Sequence, residues 1–156
     1  LLLNQKATIN VQDKDGNNLA FYLIQSYKPL TNPEAANASE QDPFTAKTKL
    51  LQDKGLNLAT PQKDGNTLYH LAIAKNDVAL LKKITDLNID VNAKNNDGIT
   101  ALHKAAMISK NDISLKYLLA NGAKNDIITE FDESAYALAI ENESLTKNNI
   151  SVEFLK

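Results

Sequence analysis

Asp64-Gly65-Asn66-Thr67-Leu68-Tyr69-His70-Leu71-Ala72 returns thirty-three residues later as Asp97-Gly98-Ile99-Thr100-Ala101-Leu102-His103-Lys104-Ala105. Asp, Gly, Thr, His and Ala keep their columns. Self-similarity at a fixed period of this size is the sequence mark of a stacked-repeat architecture. One such unit cannot bury its own apolar face, so its neighbours must supply the core.

The register continues on both sides. Ten residues before Gly65 and Gly98 stand Gly55 and Asn88; ten before Gly16 and Asp132 stand Lys6 and Gly122. These upstream positions fit the residue just past a helix end, where Gly enters the left-handed region without a Cβ clash and Asn is next best. Lys6 suits that place poorly and is expected to cost stability. Turns follow at Lys14-Asp15-Gly16, Lys63-Asp64-Gly65 and Asn96-Asp97-Gly98, since Asp-Gly is a strong short turn signal. Each unit therefore reads as turn, helix, loop, helix. Helix pairs are predicted to begin near Asn18, Thr67, Thr100 and Ser134. In the second full unit Leu68, Leu71 and Ala72, with the stem of Lys75, form one apolar stripe, and Val78, Leu80, Leu81, Ile84 and Leu87 another. Asp42-Pro43, Asn76-Asp77 and Asn111-Asp112 stand where the second helices need N-caps.

These motifs resemble the ankyrin repeat, whose pattern runs Gly-x-Thr-Pro-Leu-His-x-Ala-Ala, then a Leu-rich helix, then Gly-Ala-Asp-Val-Asn-Ala. Thr67 to Ala72 and Thr100 to Ala105 carry the first half without its Pro; Leu118-Leu119-Ala120-Asn121-Gly122-Ala123 and Ile89-Asp90-Val91-Asn92-Ala93 carry the second. The outer copies depart from it, with Phe21 and Ala137 in the His column and Asp132 in place of Gly. The resemblance implies an all-α solenoid of stacked helix pairs with short β-hairpin-like turns. It gives one domain over 1–156: a partial repeat at 1–13, then repeats at about 14–62, 63–95, 96–129 and 130–156, with an insertion at 27–42. Leu1-Leu2-Leu3 reads as the end of a helix begun earlier, and the segment 150–155 parallels 113–118 as a second helix.

The same resemblance implies a non-catalytic protein–protein interaction module, with a structural or regulatory spacer inside a larger enzyme or membrane protein as the alternative. It also implies that His70 and His103 bond within the turn and to the neighbouring repeat. No phosphate loop, zinc helix motif or nucleophile elbow stands in the chain. There is no Cys, so no disulfide or thiolate ligand. No enzyme, cofactor or metal site is expected.

All 17 basic residues are Lys, and the net charge is −2. Neither nucleic-acid binding nor membrane insertion is implied, no signal or transmembrane segment is visible, and the compartment stays open. A monomer is expected. Residues 124–156 carry seven acids against three Lys, a net of −4, which leaves +2 for the rest. That gradient suits either partner orientation or a solvated acidic end.

Partners of such arrays meet the turn tips and the exposed face of the first helices. The tips carried over are Lys14, Asp15 and Asn17; Lys63, Asp64 and Asn66; Asn96, Asp97 and Ile99; and Glu130, Phe131 and Glu133. The helix-face residues are Gln25 and Ser26, Ala74 and Lys75, Met107 and Ile108, and Glu141 and Asn142. The candidate partner site is therefore Ile99, Met107, Ile108 and Phe131, rimmed by Glu130, Glu133 and Glu141, with Lys63 and Lys75 on the more polar units. The insertion reads either as a tolerated surface loop or as a binding loop.

Overall fold

The computed structural model of the chain describes residue 9 and residues 11–29 and 42–156. Among the described residues eight α-helices follow in order: α1 Leu19–Gln25, α2 Pro43–Asp53, α3 Leu68–Lys75, α4 Val78–Thr85, α5 Ala101–Ile108, α6 Ile113–Ala120, α7 Ala135–Glu141 and α8 Glu143–Lys147, with a 3-10 turn at Glu153–Leu155. No strand longer than an isolated bridge occurs among them; single antiparallel bridges join Gln12 to Asn18 and Ile128 to Ser134. This is the all-α stack of helix pairs that the repeat implies.

The four first helices start after Asn18, Thr67, Thr100 and Ser134, as the register predicts. They pack in a row, α1 on α3, α3 on α5, α5 on α7. A helix flanked on both sides needs more than one apolar stripe. Hence α3 buries Tyr69 and Ile73 beside Leu68 and Ala72, while Leu71 is only half-buried. The partners α4 and α6 back the row, burying Leu80, Leu81, Ile84, Leu115 and Leu118 almost completely. At about 1.5–3 kcal/mol for each fully buried Leu or Ile, this shared layer is what offsets chain entropy.

The helix ends follow the read signals. Gly55, Asn88 and Gly122 have φ of 95°, 56° and 94°. After α2 and α6 the two paired bonds of a Schellman ending close the helix, as in Ala123 N to Leu118 O at 3.0 Å and Gly122 N to Leu119 O at 3.1 Å. The last unit corrects the reading of 150–155. Its second helix is α8, which Asn149 closes in the left-handed region at φ 54°, with Ile150 N on Leu145 O at 3.0 Å. The segment 150–155 thus lies past that helix.

The insertion is anchored at both described ends. Tyr27 meets Phe44 edge to face at 5.4 Å. Asp42 caps α2 through Phe44 N and Thr45 N, both at 3.1 Å, and accepts from Lys83 on α4 at 2.8 Å. Burial pushes the Asp42 carboxyl up, but the Lys83 and Thr45 bonds outweigh it and hold the pKa at about 2. Residues 30–41, among them Asn32-Pro33-Glu34, whose sequence suits a short capped helical turn, lie outside the described residues, as do Lys6 and the partial helix at 1–3. Replacing 28–41 by a short Gly/Asn turn while keeping Tyr27 and Asp42 is expected to lower the thermal midpoint by no more than a few degrees, since loop length changes stability slowly, about 0.6 kcal/mol per doubling. A scanning calorimetry fall of ten degrees would place the segment in the core.

Candidate functional site

The candidate surface is built on four copies of one turn. Asp13, Gln62, Asn95 and Thr129 each donate their N–H to the carbonyl four residues on (Asn17, Asn66, Ile99, Glu133), at 2.9–3.0 Å, and each accepts from Gly16, Gly65, Gly98 or Asp132. In three copies the first side chain also ties the loop. Asp13 Oδ1, Asn95 Oδ1 and Thr129 Oγ1 each accept two backbone N–H groups of their own turn. A short polar acceptor three residues before the glycine was the unread signal, because its type varies while its bond does not. Asp132 takes the glycine's place at φ 61°.

The turns stack directly on one another. Lys63 N donates to Gly16 O at 3.2 Å and Asn96 N to Asp64 O at 3.0 Å. The backbone of Gly98 lies so close to the next turn that a Cβ there would sit 2.8 Å from Glu130 N. The tips therefore form one continuous edge, with Ile99 and Phe131 each one residue from that contact.

The two histidines hold this edge to the helices. His70 Nδ1 accepts from Thr67 N at 3.1 Å, and its Nε2 lies 2.8 Å from Ile99 O in the next unit. His103 repeats this with Thr100 N at 3.2 Å and Ile127 O at 2.9 Å. Since Nδ1 accepts, the proton is on Nε2 and donates to the carbonyl. Both rings are fully buried. Burial pushes both below the ordinary imidazole value, against the carbonyl bond, which favours the charged form. Each ring is thus committed to two structural bonds. Among the described residues no group of three His, Cys, Asp or Glu could hold a metal ion.

The first interface lacks this His and solves the same problem differently. Asn18 caps α1 through Phe21 N, and its Nδ2 donates to Thr60 O at 3.2 Å. Gln62 pairs with it twice, accepting from Asn18 N and donating to Asn18 Oδ1, both at 2.9 Å. This buried amide pair does the bridging that Thr and His share in the later units.

The candidate partner residues fall in two places. Phe131 is 75% exposed at the fourth tip, with Glu130 exposed and Glu133 half-buried beside it, and Ile99 is half-exposed at the third tip. Met107 and Ile108, 38% and 44% exposed, end α5, about 10 Å of helix from Ile99. Glu141 is exposed at the end of α7, the helix next to α5. They make two apolar areas, a tip area and a helix-end area. Lys63 is exposed, its stem packed on Gly16, and Lys75 is half-buried at the end of α3.

Two residues alter the surface drawn from sequence. Asn142, expected on the exposed face, is buried. It ends α7, caps α8 through Ser144 N at 2.9 Å, and donates to Ala106 O and Ser109 O at 2.8 and 2.9 Å. Ile140 is instead 53% exposed, in the column where α5 has the fully buried Ala106. Ile24 and Ile73 hold the same column and are buried, so the residue type gave no signal. A separate groove of about 810 Å³ lies between the end of α1 and the start of α2, lined by Tyr27, Phe44, Lys47 and Lys83.

No helix of the described residues is long and apolar enough to cross a membrane. A family profile described as ankyrin repeats (3 copies) matches residues 69–155, more than half of the chain. A protein of Acanthamoeba polyphaga mimivirus described as an ankyrin repeat protein is 27% identical over 147 residues. That alignment takes in 94% of this chain and 16% of the relative, so the chain spans about a sixth of the relative's length. Ankyrin repeats are in general protein–protein interaction modules without catalysis, and the repeating turn, the Thr–His bridge and the profile agree: this chain belongs to the ankyrin-repeat family.

Proposed function

We propose that the chain is a non-catalytic protein-binding array, working as a monomer without cofactor, with its repeats at about 14–62, 63–95, 96–129 and 130–156. Its partner lies against the last two turn tips and the ends of α5 and α7. The observation that carries this is the 75% exposed Phe131, set on a rigid tip whose counterparts in the first two units are Asp15 and Asp64. An aromatic ring presented to solvent on a hydrogen-bonded turn is the composition of an interaction anchor. Ile99 extends the tip area beside Glu130 and Glu133, and Met107 and Ile108 make the helix-end area near Glu141. An array without Arg and with net charge −2 does not suit nucleic acid.

Phe131→Ala and Ile108→Asp are the test. Each is expected to weaken binding of the partner by about 2 kcal/mol or more, roughly thirtyfold. Each should leave the thermal midpoint within a degree or two, because neither side chain is buried. Lost stability with unchanged binding per folded molecule would assign them to the core. Binding that survives both changes would move the site to Lys63 and Lys75 or to the groove beside the insertion.

A further inference from the structure

We infer that the fourth tip receives a basic segment: a stretch of partner chain in which lysine or arginine flanks one apolar or aromatic side chain. This rests on the reading above and names the chemistry of the partner at that same surface. The charges of the tips are unequal. Residues 13–17 carry −1, residues 62–66 are neutral, residues 95–99 carry −1, and residues 129–133 carry −3 from Glu130, Asp132 and Glu133. Lys94 reaches this tip, its Nζ on Ile128 O at 3.0 Å, and leaves a local balance of −2.

Those carboxylates are unspent. Among the described residues the ion pairs are Lys83–Asp42, Lys116–Asp112, Lys147–Glu143 and Lys156–Glu153, none of which uses Glu130, Asp132 or Glu133. Apolar exposure coincides with the charge. Phe131 and the 45% exposed Ile128 stand at this tip and Ile99 at the next; the first tip has the exposed Val11 and Tyr22 beside it but carries only −1, and residues 62–66 contain no apolar side chain. An exposed ring between carboxylates offers a cation both its negative face and charged acceptors. An acidic segment would meet like charge and lose that pairing.

The test is a panning of short random peptides displayed on phage against the 156-residue chain, with enriched peptides then titrated by fluorescence anisotropy. Enriched peptides should carry Lys or Arg beside an apolar or aromatic residue. The variant Glu130→Gln, Asp132→Asn, Glu133→Gln should bind them about tenfold more weakly, and Phe131→Ala at least as weakly. Asn is a sound choice at 132, since Asn76, Asn88 and Asn149 already hold positive φ in this chain. Raising salt from about 50 to about 300 mM should weaken the unaltered chain several-fold, a readout that needs no variant to fold. Neutral or acidic peptides whose binding falls on Phe131→Ala would overturn the basic partner and keep the interaction surface. Basic peptides insensitive to both variants would overturn this inference as well. A panning that enriches nothing over the bare support would overturn both readings.

Discussion

His103→Leu is expected to cost the array about 3 kcal/mol, which is about 10 °C of thermal midpoint at this chain length. The two side chains are close in size, so the change isolates the hydrogen bonds. Leucine leaves the buried Thr100 N–H and the partly buried Ile127 C=O without the ring that joined them. Each orphaned buried group carries a penalty of about 1–3 kcal/mol. His70→Leu should cost less, since Thr67 N loses its acceptor while Ile99 O keeps the Asn95 N–H at 2.9 Å. If His103→Leu melts within two degrees of the unaltered chain, the carbonyl bond is not what ties one unit to the next.

The same rings set a pH dependence. Burial lowers both imidazole pKa values in the folded chain, while the unfolded chain keeps the ordinary 6.5. Below that value the unfolded state takes up protons that the folded state refuses. Stability is therefore full above about pH 7 and falls on acidification, by up to about 1.4 kcal/mol per pH unit for each ring, until the folded rings titrate. Asp42, at about 2, contributes stability that is lost only below its ordinary 3.8. The loss between pH 7 and 5 thus belongs to the histidines. Urea midpoints of the double variant His70→Leu, His103→Leu should be flat across that range. A slope equal to that of the unaltered chain would assign the effect elsewhere.

Most of the architecture was legible because each unit repeats the same local chemistry. Asp-Gly fixes a turn, Thr or Ser caps the helix that follows, and Gly or Asn closes the second helix. Those signals act over a few residues, and the chain prints them in register. What escaped reading depends on partners a full repeat away. Asn142 looks like a surface residue until Ala106 O and Ser109 O of the preceding unit come within reach of its amide. Gln62 looks like any polar turn residue, yet it pairs with Asn18 across forty-four positions. The apolar spacing of 150–155 copies a helix, but Asn149 has already closed the shorter α8. The site was half legible. Ile99, Ile108 and Phe131 stand out by type in polar columns, and Met107 stands out against Gln25, Ala74 and Glu141. Ile140 does not stand out, since Ile24 and Ile73 in its column are buried, and the split into tip and helix-end areas follows from the length of α5.

Gly98→Ala should be far more damaging than Gly122→Ala, although both glycines have positive φ, 72° and 94°. At Gly122 an added Cβ meets nothing within 4 Å. The cost there is the left-handed backbone alone, about 1 kcal/mol. Gly122→Asn should nearly remove it, since Asn tolerates that region. At Gly98 the Cβ would lie 2.8 Å from Glu130 N and 2.9 Å from Glu130 Cγ. A backbone atom cannot swing aside as a flexible side-chain end can, so the fourth turn must move away from the third. Overpacking of that kind adds about 1–3 kcal/mol, for a total of about 3. The displaced turn carries Phe131, Glu130 and Glu133, so partner affinity should fall with the stability. Thermal melts and peptide titrations of the two alanine variants compare these cases directly. Equal midpoints would mean that the tips do not bear on one another, and intact affinity in Gly98→Ala would separate the binding surface from the stacked edge that presents it.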